Sequence, residues 1–276
     1  MQPLPTHTAV RYVQPLREGG SLPAVVETGE GDLFVVKFRG AGQGAKALVA
    51  ELIAGLLAGA LSLPTPELAI VEVPPPFGRA EPDPEIQDLL RASHGINVGA
   101  RFLDGAFNFD PTAAGEHVST ALAAAVVWFD ALLTNPDRTH HNPNLLIWRR
   151  TPWLIDHGAA LYAHHDWSRV DEARTRSPFP LISRHVLLDR AADIEGADAR
   201  LAPLLTETVL DDVLSRIPDA LLAEAYAGSA TPAEARERYR GYLATRLRAP
   251  RAFVAEAIAA RERLLREPPT PLSARR

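Results

Sequence analysis

The chain has 276 residues, 29 of them Lys or Arg against 34 Asp or Glu, and no cysteine. A net charge of −5 argues against nucleic-acid binding over the whole surface, which needs a basic excess or a basic stripe. The absence of cysteine excludes disulfides, thiolate metal sites and a cysteine nucleophile.

In chain order, residues 10–13, 24–27 and 33–38 read as strands, the last two joined by the turn Thr28-Gly29-Glu30-Gly31-Asp32. Residues 45–61 carry apolar side chains at helical spacing and predict a helix, which Leu63-Pro64-Thr65-Pro66 ends. A strand is expected over 68–73 and a proline-rich surface loop over 74–84; the apolar stretch 98–103 then runs into an Asp104-Gly105 turn. Residues 112–133 predict a helix that is nearly apolar all round after Val118, as a buried central helix must be. Short strands at 145–148 and 153–155 flank the turn Arg149-Arg150-Thr151-Pro152. From about 187 onward the pattern is helical with Pro and Gly breaks. Its basic residues between 236 and 266 interleave with glutamates as on a solvated helix face, and residues 268–276 read as a frayed tail.

Strands with one helix in front and helices behind predict a two-lobed α+β chain: an N-lobe over 1–103, a helical C-lobe over 104–267, and a flexible tail over 268–276. Chemistry is expected in the cleft between the lobes. Residues 1–10 lack a signal-peptide pattern, and 48–63 is too short and broken for a membrane span, so a cytoplasmic protein without a membrane partner is expected.

The most specific stretch is Asn135-Pro136-Asp137-Arg138-Thr139-His140-His141-Asn142-Pro143-Asn144, followed fourteen residues after Asn142 by Asp156-His157-Gly158. Phosphoryl transfer needs a carboxylate at the acceptor hydroxyl and oxygen ligands that hold Mg²⁺ on the nucleotide phosphates. The loop supplies Asp137 and Asn142, and the following hairpin can return the chain to set Asp156 beside Asn142. Each piece alone is also ordinary turn chemistry; their order and both intervals together favour the functional reading.

The front lobe adds Lys37, at the end of an apolar strand, and Glu51, on the following helix among Leu48, Val49, Leu52 and Ile53. A carboxylate in that setting wants a cation. Lys37 is one of only two lysines in the chain. The other, Lys46, is an alternative partner, although five residues away on the helix it lies off the face of Glu51. Gly19-Gly20-Ser21 offers backbone amides and a hydroxyl for phosphate oxygens, or serves as a plain loop.

These residues resemble the HipA-like kinases, bacterial relatives of the protein kinase and phosphoinositide kinase folds. The resemblance rests on Val35-Val36-Lys37-Phe38, on Glu51 with the Leu63-Pro64-Thr65-Pro66 exit, and on residues 137–146 and 154–158; it spans most of 10–170. It implies a protein-kinase-like fold and ATP-dependent, Mg²⁺-dependent phosphoryl transfer. Asp137 would be the catalytic base, Asn142 and Asp156 the Mg²⁺ ligands, and Lys37 the group on the nucleotide phosphates, with Glu51 beside it. Gly20 and Ser21 would form the phosphate loop, and the backbone of Arg101, Phe102 and Leu103 the adenine hinge. The implied acceptor is Ser or Thr on a protein, with a lipid headgroup or small molecule as alternatives and a regulatory protein as a further partner. His157 stands where the kinase motif carries phenylalanine.

Two rivals remain. A metallohydrolase could use His140, His141, Asp137, Asp156, His157, His164, His165 and Asp166, but adjacent histidines on extended backbone point to opposite faces and no pair has the HExxH spacing. A nucleotide-binding pseudokinase acting as a regulatory module would keep the same polar groups and differ only in turnover.

Overall fold

The computed structural model describes residues 3–16, 22–42, 44–79, 81–111 and 117–267. Gly20 and Ser21 lie outside the described residues, as does the tail expected at 268–276.

Five strands close into a barrel: β1 (Thr6–Pro15), β2 (Ala24–Thr28), β3 (Leu33–Lys37), β4 (Leu68–Val73) and β5 (Gly95–Arg101), in the order β1-β2-β3-β5-β4. All neighbours are antiparallel except β1 and β4, which pair in parallel through Thr6–Ile70 to Thr8–Glu72 and so close the ring. The alternation of β3, with Phe34 and Val36 fully buried, points its apolar set into the barrel, where Val26, Phe38, Val71 and Val73 join them. Lys37 has the opposite parity and leaves the barrel core.

Helix α1 (Gly44–Ala60) follows β3. It is apolar on nearly every face because it is buried on nearly every face. It touches β4 and β5, and a Cβ added at Gly55 would lie 2.5 Å from Leu68 Cδ1, so glycine permits the close approach. Leu48, Leu52, Ile53 and Leu57 belong to the large core of the helical half, not to the barrel core. A second front-half helix, α2 (Pro84–Ala92), was not expected. Its start is nonetheless written in the sequence: Asp83 accepts from the Glu85 amide at 2.9 Å, and Pro84 fills the first helical position, where no N–H is needed.

Beyond β5, the chain adds β6 (Phe107–Asn108), which pairs with the hairpin β7 (Leu145–Trp148) and β8 (Thr151–Leu154) in a three-stranded sheet. Between β6 and β7 runs α3 (Thr120–Leu132), buried from Ala123 to Leu132. The helix expected from residue 112 starts at 120 instead, because Ser119 is extended and its hydroxyl accepts the Leu122 amide at 3.2 Å; residues 112–116 lie outside the described set. Six further α-helices follow among the described residues: α4 (Glu172–Thr175), α5 (Ile194–Leu201), α6 (Glu207–Ser215), α7 (Asp219–Ala225), α8 (Pro232–Leu247) and α9 (Ala252–Arg266). The first helix packs on α6 and α7, which carries the barrel's one long helix into the helical half.

Candidate active site

Lys37 leaves the end of β3 toward α1, and its ammonium is bound on two sides. Nζ donates to Glu51 Oε2 at 2.7 Å and to Asp156 Oδ1 at 2.6 Å. Glu51, 4% exposed, is also the acceptor for the His157 amide at 2.7 Å, so one carboxylate on α1 holds both the strand lysine and the segment that follows β8. Burial works against the Lys37 charge, but Glu51 and Asp156 outweigh it and hold the ammonium above the ordinary lysine range. For Asp156, burial works to raise the pKa, and the attraction of Lys37 overcomes it and keeps the carboxyl below the usual range. Lys46 is not the partner of Glu51: it reaches the His165 carbonyl at 3.4 Å and lies 5.3 Å over the Tyr226 ring.

A second cluster forms around Asp137. Its Oδ2 accepts from Asn142 Nδ2 at 2.8 Å and from Asn144 Nδ2 at 3.1 Å, and its backbone amide donates to Asn135 Oδ1 at 3.2 Å. The loop between is closed by Thr139 N to Asn142 O at 2.9 Å and Asn142 N to Thr139 Oγ1 at 3.3 Å. Asn144 and Asp156 both take left-handed backbone, φ 48° and 53°, a conformation that Asn and Asp accept more readily than other side chains. The Ile155 amide donates to the Asn144 carbonyl at 3.1 Å, which brings the returning chain against the loop.

Beneath both clusters lies a fully buried ion pair. Arg138 Nε donates to Asp130 Oδ2 at 2.6 Å, and Asp130 also accepts from His185 Nε2 at 3.0 Å and Asn135 Nδ2 at 2.9 Å. Burial pushes the Asp130 carboxyl up, but Arg138 and His185 bring it far below the usual range. Sequence reading passed over this network, and Asp130 is where it could have been found: a carboxylate inside an otherwise apolar helix must have a buried cation.

The expected hinge residues are partly engaged. Arg101 N donates to Glu67 O at 2.8 Å and Phe102 N to Leu33 O at 2.9 Å, while the Arg101 guanidinium pairs with Asp32 at 3.0 Å and Glu67 at 2.9 Å. Of the three backbone amides, that of Leu103 alone has no backbone partner among the described residues.

The histidine-rich segments do not converge. His140, His141 and His165 are exposed, whereas His164 is fully buried and its Nδ1 lies 2.9 Å from Tyr239 Oη. Among the described residues, no group of three or more His, Asp or Glu side chains is arranged to hold a metal ion. Asp156 and Asn142 instead offer a carboxylate and a neutral amide oxygen, which suits a hard cation that keeps water and phosphate oxygens as its other ligands, as Mg²⁺ does. No helix among the described residues is long and apolar enough to cross a membrane.

The model of a family described as "HipA-like kinase" matches residues 9–228. The fold is similar to that of the proinflammatory kinase CtkA of Helicobacter pylori, with a TM-score of 0.53 and 12% identity over 94% of this chain and 99% of that one. A Golgi casein kinase with Mn/ADP bound is similar at a TM-score of 0.42 and 10% identity, over 94% and 75% of the two chains. No curated protein matches the sequence. The α+β, two-lobed arrangement is a kinase fold, and the chain belongs to the HipA-like kinase family.

Proposed function

We propose that the protein transfers the γ-phosphoryl group of ATP, with Mg²⁺, to a Ser or Thr hydroxyl on a protein. The observation that carries this reading is the pairing of Lys37 with both Glu51 and Asp156, at 2.7 and 2.6 Å. It leaves one ammonium against two carboxylates, a net negative site that a divalent cation can balance, with the ammonium held ready for phosphate oxygens.

In this reading the Leu103 amide meets the adenine edge, and Lys37 lies on the nucleotide phosphates with Glu51 fixing its direction. Asp156 and Asn142 would hold Mg²⁺, whose charge would neutralise the phosphate oxygens. Asp137 takes the proton of the acceptor hydroxyl; the hydroxyl oxygen bonds to the γ-phosphorus as the bridging P–O bond breaks, and its electrons leave with ADP. Asn144, bonded to Asp137 at 3.1 Å, orients that carboxylate. The lobes in this scheme are 1–103 and 104–267, and reliance on ATP suits a cytoplasmic enzyme.

The test is incubation with γ-labelled ATP and Mg²⁺, with and without cell lysate, followed by identification of the labelled residue. Asp137→Ala is expected to lower transfer by about 10²–10⁴-fold while nucleotide still binds. Unchanged transfer would remove Asp137 from the role of base, and label found on a lipid or small molecule would redirect the acceptor.

A further inference from the structure

We infer that Arg138 is a positioning residue, whose buried guanidinium fixes the Asp137 loop and the Asp156 segment in register with each other. The inference rests on the kinase reading above and goes beyond it, since Arg138 touches none of the reacting groups.

The side chain is fully buried. Its donors fan out to three parts of the chain: Nε to Asp130 on α3, Nη1 to the carbonyls of Asn144 and of Ile155, the latter at 3.3 Å, and Nη2 to His157 Nδ1 at 3.3 Å. The two carbonyls adjoin the two left-handed residues of the site. One belongs to Asn144 itself, whose side chain holds Asp137; the other belongs to the peptide that enters Asp156, whose side chain holds Lys37. Single non-glycine residues in that region cost energy and persist only where surrounding contacts hold them. A planar fork of five N–H donors can hold both carbonyls and the His157 ring at once, which the compact ammonium of a lysine cannot. Asp130, itself fixed by His185 and Asn135, sets where the fork points. The guanidinium thus ties the cluster of Asp137 to the cluster of Lys37 from beneath, in a place that water does not reach.

The experiment compares wild type with Arg138→Lys and Asp130→Asn. It measures Mg²⁺-ATP turnover and ATP affinity by calorimetry, at a temperature well below each protein's unfolding midpoint. Arg138→Lys is expected to lose about 10²-fold in kcat, as a displacement of order 1 Å at the reacting groups would cause, with ATP affinity held within about threefold. A role in stability alone would lower the midpoint and leave kcat intact. Asp130→Asn is isosteric and still accepts from Arg138, so it keeps the proposal testable if Arg138→Lys does not fold; it should show a smaller loss of kcat, again without loss of affinity. Wild-type kcat in a folded Arg138→Lys overturns the inference, as does wild-type kcat in Asp130→Asn should the arginine variant not fold. A loss of ATP affinity in step with turnover also overturns it. A wild-type protein without ATP turnover overturns the kinase reading itself, and the inference falls with it.

Discussion

The two clusters of the site are built by opposite means. Lys37, Glu51 and Asp156 come from a barrel strand, a helix and the turn after a distant hairpin, with Lys37 and Asp156 119 residues apart, and they meet through charge. Asp137, Asn142 and Asn144 fall within seven residues of one another and meet through neutral amide hydrogen bonds. The first cluster exists only if the barrel, α1 and the helical half are already packed together, so charge pairing there registers the tertiary fold. The second is largely a property of its own loop. What joins them is the Arg138–Asp130 pair underneath.

The sharpest way to break the contrast is Lys37→Arg. Charge is kept, but a planar fork does not fit a slot shaped for an ammonium between two carboxylates. ATP turnover should fall by about 10²-fold, the scale of losing one preorganised group on developing charge, while the larger side chain costs about 1–3 kcal/mol of stability and the chain still folds. Turnover at the wild-type level would take Lys37 out of the phosphate-binding role.

Acid should act on the buried histidines of the folded chain. Burial lowers His157 to about 4 and His164 to about 3 in the folded chain. Unfolded histidine titrates near 6.5, so between pH 6.5 and 4 the unfolded chain binds protons that the folded chain does not, and stability falls as pH falls through that window. Each of the two histidines should account for about 2 kcal/mol lost between pH 7 and pH 5. Denaturant melts at the two pH values, repeated with His164→Asn, check this; a pH dependence no smaller in the variant would remove His164 from the account.

The smallest effect is expected from Lys46→Arg. Lys46 also links α1 to the segment after Asp156, but through a carbonyl at 3.4 Å and a tyrosine face, with no carboxylate paired to it among the described residues. A guanidinium stacks on an aromatic ring at least as well. Stability should stay within about 0.5 kcal/mol, and turnover within about twofold. A loss comparable to that of Lys37→Arg would show that the two lysines do the same work.

Much of this molecule is legible in the residues. Apolar runs joined by turn residues mark the barrel strands, and the helical spacing of apolar residues over 45–61 marks α1. The paired intervals from Asp137 to Asn142 and from Asn142 to Asp156 single out the loop we propose for phosphoryl transfer, because those spacings are local and set by turns. The barrel's closure was not legible: the parallel pairing of β1 with β4 joins residues far apart in sequence, and no periodicity records it. Nor was the assignment of α1 to the core of the helical half, since an apolar face does not name its partner.

The sequence by itself determined which groups are candidates for the chemistry we propose, since side-chain type and short intervals survive in any fold. Only the tertiary structure decided who pairs with whom. Glu51 could have taken Lys46 or Lys37, and the fold, which packs α1 on β4 and β5 and sets Lys37 Nζ 2.7 Å from Glu51 Oε2, settles it for Lys37. Asp130 and Arg138, eight residues apart and unremarkable in a row of letters, become the buried tie between the two clusters only where α3 and the loop after it exclude water and leave each charge no partner but the other and its hydrogen-bonded neighbours.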